Sequence, residues 1–206
     1  MEINHLLQFL LASILLTLSP GPDILYVLTT SLRRGFKTAL FLAAGLCSGL
    51  IIHTALVGFG VAQLMRANDW MLWVIKGFGA LYMIYLALMI YQSSSEIQLR
   101  DAHDSEKNLL GFYTQGFLMN VLNPKVSLFF LAFLPQFINY DQGNVFLQAL
   151  LLGGIFFSQA LLIFSIVAHF ASKITANVQG NPVIEKLLKQ VQIGIFLFLA
   201  FSILFL

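Results

Sequence analysis

Apolar residues fill this chain in long runs separated by short polar intervals. A helix needs about 20 apolar residues to cross a bilayer, and six stretches approach or exceed that length: Ile3 to Leu32, Thr38 to Met65, Trp70 to Tyr91, Phe112 to Leu134, Val145 to Phe170 and Leu187 to Leu206. Two of the six are interrupted. Ser19-Pro20-Gly21-Pro22-Asp23 splits the first, and Asn120-Val121-Leu122-Asn123-Pro124-Lys125 splits the fourth. Proline lacks a backbone donor and cannot continue a helix cleanly. In a bilayer such a break persists only where protein or a water-filled cavity satisfies the freed backbone. The ionisable residue beside each break therefore predicts an aqueous site.

Dividing the chain at the polar linker leaves two halves with the same order of parts: repeat one over about 1–92, the linker over 93–110, and repeat two over about 111–206. Pro22-Asp23 aligns with Pro124-Lys125, and Ala39-Leu40-Phe41-Leu42 resembles Ala149-Leu150-Leu151-Leu152. Three spans per half is an odd number, so the second half enters the membrane from the opposite side. The predicted fold is an all-α integral membrane protein, one transmembrane domain over 1–206. It has six segments in two inverted three-helix repeats, with broken first and fourth helices. Inverted repeats with interrupted helices in corresponding places point to a secondary transporter with its site near the midplane. The pairs Gly45-x-x-x-Gly49, Gly77-x-Gly79 and Gly153-Gly154 read first as places of close helix contact.

Composition agrees with that class. The 206 residues are 59% hydrophobic and 10% charged, with mean hydropathy +0.86, which excludes an ordinary soluble domain. The net charge of +2 carries no nucleic-acid signal, because the cations fall at helix ends. The amino-terminal stretch lacks the basic region of a cleavable signal peptide, so the first segment is expected to be retained. Cys47 is the sole cysteine, so no disulfide can form within the chain and a dithiol redox centre is excluded. No hydrolase constellation appears, so neither enzymatic activity nor a cofactor is expected.

Orientation follows from the basic residues. Arg33, Arg34 and Lys37, then Arg100 and Lys107, then Lys173, Lys186 and Lys189 lie in the three linkers that share a face in a six-span arrangement, against Arg66 on the other. That face reads as cytoplasmic and the carboxyl terminus as outside.

The chemistry gathers at the breaks. Pro20 and Pro22 leave the carbonyls of Leu16 and Leu18 without their helical donors, and Pro124 does the same to Asn120. Pro22 and Pro124 suit the first position of the half-helices that follow, whose exposed amides attract anions. Asp23 is at home in such a first turn. Lys125 is repelled by the same dipole, so it requires an anionic partner, either Asp23 or a substrate carboxylate. The predicted substrate site is Pro20, Gly21, Pro22 and Asp23 with Asn120, Asn123, Pro124 and Lys125, and an α-amino acid fits its paired charges. The bland alternative is a kinked helix pair whose Asp-Lys salt bridge only fixes packing. His53 is the one histidine well inside an apolar run; with Asp23 it is a candidate for proton coupling, or it is a satisfied core histidine. Gln115 and Gln159 line the same cavity or bridge helices. Lys76 reads as structural.

These residues together resemble the LysE/RhtB family of amino-acid exporters. The resemblance rests on Ser-Pro-Gly-Pro-Asp with Arg33-Arg34-Gly35, on Gly45-x-x-x-Gly49 with His53, and on Gly116-Phe117 leading into Asn120-x-x-Asn123-Pro124-Lys125. Phe130-Leu131-Ala132-Phe133-Leu134-Pro135-Gln136-Phe137 completes it. It implies export of amino acids or close derivatives across a bacterial inner membrane, driven by protons, with lipid as the surroundings and a homo-oligomer left open. Basic-amino-acid exporters of the family often carry an acid just after the glycine pair. Leu50 and Ile51 stand there here, which favours neutral substrates such as threonine, homoserine or branched-chain amino acids. The rival within transporters is a heavy-metal or other cation exporter, for which the provision of ligands is thin.

Overall fold

The computed structural model describes residues 3–19, 21–61, 69–92, 108–140, 143–173 and 182–205. Pro20, Arg66 and the linker charges Glu96, Arg100, Asp101, Asp104, Glu106 and Lys107 lie outside the described residues.

The described residues are helical almost throughout. The first predicted segment forms α1 (Ile3–Leu18) and α2 (Pro22–Arg34), bent by 57° across the break. Next come α3 (Phe36–Leu56), extended by a π turn over Val57–Val61, and α4 (Asp69–Gln92). The fourth segment forms α5 (Leu109–Val121) and α6 (Pro124–Ala132), the latter continued by a 3-10 turn over Leu134–Phe137, with a 51° bend. The chain ends with α7 (Val145–Ala171) and α8 (Pro182–Phe205). Both breaks thus fall at the prolines. Three helices are long and apolar enough to cross a membrane, five spans result if each bent pair counts as one, and Lys189–Phe205 is a shorter apolar stretch.

The central seam joins α3 of the first half to α5 of the second. A Cβ on Gly45 would stand 2.0 Å from the carbonyl oxygen of Tyr113, and one on Gly116 would stand 2.3 Å from that of Leu42. Glycine at both places lets the two backbones touch, which is how small residues bring membrane helices together. Gly49 and Asn120 continue the contact, and Tyr113 donates its hydroxyl to Ser48 Oγ at 2.9 Å. Of the other glycine pairs, Gly79 meets Ala132 and Gly153 meets Thr54, while Gly77 and Gly154 face open space.

Helix α7 runs antiparallel to α3, with Gly58 beside Phe146 at one end and Phe36 edge-on to His169, 5.7 Å between ring centres, at the other. The Ser31 hydroxyl donates to the carbonyl of Ala168. Arg33, Arg34 and Lys37 therefore sit at the same end of the bundle as Lys173. Ala39 and Leu42 on α3, and Ala149 and Leu152 on α7, are all fully buried.

An aromatic cluster fills the space between α1, α6 and α7. Phe9 is completely buried and meets Phe137 at 5.4 Å and Phe156 at 6.5 Å, while Phe129 meets Phe156 at 5.6 Å and Phe133 at 4.8 Å.

Candidate functional site

Each helix break is held by side chains from the other half of the chain. At the first, α1 ends with Ser19 N–H donating to Leu15 O at 2.9 Å, and α2 restarts from Gly21, whose carbonyl accepts from Leu25 N–H at 3.1 Å. The Lys125 ammonium comes across from α6 and donates to the carbonyl of Ser19 at 3.1 Å. Gly21 leaves room for it, since a Cβ there would stand 3.3 Å from Nζ.

The second break is built around Asn123. Its Oδ1 accepts from Lys125 N–H at 3.0 Å and caps α6, as expected of asparagine before a helix-starting proline. Its Nδ2 donates to Asp23 Oδ2 at 2.8 Å. The cap fixes which end of the amide faces which way, so one side chain both starts α6 and delivers a donor to the carboxylate at the start of α2. The carbonyl that Pro124 deprives of its helical donor, that of Asn120, lies 3.2 Å from His53 Nε2. A carbonyl can only accept, so Nε2 carries the hydrogen in this contact. Asn120 also accepts from its own break, from Asn123 N–H at 3.0 Å.

Gly49 explains how His53 reaches so far. A Cβ on Gly49 would stand 2.6 Å from Asn120 Oδ1, so only glycine there admits the asparagine, and one turn further along α3 His53 meets the same residue's carbonyl. The His53 ring also packs 5.5 Å from the ring of Phe130.

Asp23 and Lys125, 8% exposed each, line one cavity and are close enough for their charges to interact. They do not pair directly: the acid is bonded to Asn123 and the base to the Ser19 carbonyl. Asp23 Oδ1 is left with no partner. Of the two partners the sequence offers Lys125, Asp23 is thus not bonded to it directly. Lys125 Nζ also lies 5.6 Å from the centre of the Phe196 ring of α8.

The cavity is small, about 20 Å³, room for about one water molecule, so a larger ligand enters only as the two helix breaks part. Its polar wall is Thr17, Ser19, Asp23, Asn120 and Lys125. Its apolar wall includes Leu50 of α3, Val126 of α6, and Phe156, Ala160 and Phe164 from one face of α7. The last three fall near the middle of α7 (Val145–Ala171).

Of the residues predicted for the site, Asp23, Asn120 and Lys125 line the cavity, and Asn123 stands behind Asp23. Gly21, Pro22 and Pro124 shape the two helix starts, and His53 sits behind Asn120. Gln159 bridges helices, donating to Thr17 Oγ1 at 3.0 Å and to Ser13 O at 3.3 Å. Lys76 is buried, with Nζ 5.6 Å from the centre of the Trp73 ring. Sequence reasoning did not single out Ser19 and Thr17, or the α7 wall. The spacing of Phe156, Ala160 and Phe164 at i, i+4 and i+8 was the signal for the latter, because it puts all three on one face.

Among the described residues no group of three or more His, Cys, Asp or Glu side chains could hold a metal ion.

A family model described as LysE type translocator matches residues 14–206. Among curated proteins, the chain is 28% identical over 203 residues to the "Uncharacterized membrane protein YrhP" of Bacillus subtilis, covering 93% of this chain and 96% of that one. It is 32% identical over 182 residues to the "Homoserine/homoserine lactone efflux protein" of Salmonella typhimurium, covering 88% and 87%. With the "Leucine efflux protein" of the same organism it shares 30% identity over 131 residues, 64% of this chain and 62% of that one. No solved structure matches the chain.

Proposed function

The chain belongs to the family of LysE type translocators, and on that footing we propose that it exports neutral amino acids or close derivatives by proton antiport. It is a membrane transporter of the amino-acid efflux kind and not an enzyme. The observation that carries the finer reading is the meeting of Asp23 and Lys125 on one buried cavity, each beside a helix break and neither spent on the other. An α-amino acid presents an ammonium to Asp23 and a carboxylate to Lys125. Leu50, Val126 and Phe156 on the wall offer an apolar side chain its surroundings, and Asp23 is the one carboxylate among the described lining residues, which gives a cationic side chain no second counter-charge among them. The efflux of homoserine and leucine by named relatives suits that preference.

The proposed arrangement is six spans in the bacterial inner membrane as inverted repeats, with α1–α2 and α5–α6 as the broken first and fourth spans. The clustering of Arg33, Arg34, Lys37 and Lys173 at one end supports a cytoplasmic assignment for that end. Substrate contact falls to the residues around the two breaks, Gly21, Pro22, Asp23, Asn120, Asn123, Pro124 and Lys125. Purified protein in liposomes carrying a pH gradient should release preloaded homoserine, threonine or leucine faster as the gradient steepens. Flux of cadmium but of none of these would put the cation exporter in its place.

His53 and Asp23 are the proposed proton carriers. Replacing His53 by Gln keeps a donor for the Asn120 carbonyl and removes the titratable ring. Counterflow of substrate at equal pH on both sides should then persist, while acceleration by a pH gradient falls at least tenfold. Unaltered acceleration would leave His53 with the hydrogen bond alone. His53→Ala removes the donor as well and should cost about 1–3 kcal/mol of stability, read as a lower melting temperature in detergent.

A further inference from the structure

Among the described residues, Ser19 Oγ is the one hydroxyl oxygen that is buried without a hydrogen-bond partner. Ser13, Thr17, Thr29, Ser48, Thr54, Thr114, Ser127 and Ser158 each donate to a carbonyl three or four residues back along the chain. That is the ordinary way for a helix in lipid to dispose of such a group. Ser19 is fully buried, lines the cavity, and its Oγ has no partner. A buried hydroxyl without a hydrogen bond is costly, about 1–3 kcal/mol, and a group left in that state beside a cavity is free for a ligand.

We infer that Ser19 Oγ is a substrate-binding group that donates to the carboxylate held by Lys125. This deepens the amino-acid reading above and rests on it. Three oxygens on the lining residues are buried and unpartnered: Ser19 Oγ, Asp23 Oδ1 and Asn120 Oδ1. Asn120 Oδ1 is an amide oxygen packed against Gly49 and only accepts, and Asp23 Oδ1, which only accepts when the acid is ionised, suits a donor of the substrate ammonium. Ser19 Oγ alone can donate, and an acceptor-rich group is what it lacks. Its position agrees, because Lys125 Nζ already rests on the carbonyl of the same residue at 3.1 Å. Whatever anion the ammonium of Lys125 takes hold of lies beside the hydroxyl of Ser19. A carboxylate has two oxygens, one for each donor.

The test compares L-homoserine with homoserine lactone, whose carboxyl is closed into a neutral ring, in counterflow by purified protein in liposomes. Ser19→Ala should raise KM for homoserine about tenfold, the loss expected of one hydrogen bond to a charged group, with KM for the lactone nearly unchanged. Ser19→Thr keeps the hydroxyl and should restore most of the preference. As a second readout, a Ser19→Cys protein in a Cys47→Ala background should be protected from a small thiol reagent by homoserine and much less by the lactone. Equal KM changes for both compounds, or protection independent of the carboxylate, would overturn the assignment. A wild type that carries homoserine while Ser19→Ala keeps the full preference would overturn it alone. A wild type that carries no amino acid would take the amino-acid reading down with it.

Discussion

Export by Asp23→Asn and by Lys125→Met should each fall to background, at least a hundredfold below wild type. Both groups are buried, and both breaks depend on them: Asp23 accepts from Asn123, and Lys125 holds the Ser19 carbonyl. The two charges interact across the cavity without touching, so removing one costs less than breaking a direct buried pair, about 3–5 kcal/mol. On the proposed placement within the membrane, a lone charge costs at least about 2.5–3.5 kcal/mol on insertion scales. Lower yields of folded protein are therefore expected for both single variants, so flux has to be normalised to folded protein after size-exclusion chromatography. The double variant separates structure from function. Asp23→Asn with Lys125→Met removes both charges at once, so folded yield should recover while export stays at background. Recovery of export along with yield would reduce the two residues to packing.

The second large effect lies at the seam of α3 and α5. Gly45→Ala and Gly116→Ala should each remove most of the folded protein from the membrane, because the new methyl would be driven into the backbone of the facing helix at 2.0 and 2.3 Å. Backbone cannot swing aside as a side chain can, so the helices have to separate along their length. Overpacking ordinarily costs about 1–3 kcal/mol, and a contact this close belongs at the upper end or beyond. Gly60→Ala and Gly154→Ala are the controls, since nothing among the described residues lies within 4 Å of a Cβ at either place. Their melting temperatures should stay near the wild-type value. A wild-type melting temperature for Gly45→Ala would mean that the seam is looser than described.

Much of this architecture can be read from the letters. Proline removes a donor wherever it stands, so Pro22 and Pro124 located both breaks and identified Asn120 as a residue with a carbonyl to spare. Charge in apolar surroundings is rare enough that Asp23, Lys125 and His53 attracted notice for the same reason. What the letters do not contain is which group answers which. His53 and the Asn120 carbonyl are 67 residues apart in the chain, and their meeting depends on how α3 lies along α5. That depends in turn on Gly45, Gly49 and Gly116 acting together. In sequence Lys125 reads as needing an anion, either Asp23 or a substrate carboxylate, and the letters do not choose between them. The fold instead gives each a neutral hydrogen-bonding partner, which leaves charge free to meet a ligand. Ser19 carries no signal in the letters, because a serine near a helix end looks ordinary until the hydroxyls around it are seen to be occupied. The limits of the helices were also displaced at their ends: α8 begins at Pro182, ahead of the apolar run from Leu187, since a helix can extend past the lipid-facing stretch.

The glycine seam restricts where this molecule can bend. Backbones in direct contact, with no side chains between them to change rotamer, have no slack to absorb sliding. Segments α3 and α5, one from each half of the polypeptide, should therefore travel as a single strut. If the two faces of the membrane are to be served in turn, the give has to come from the other helices, among them the half-helices that meet at the second break over 122–123.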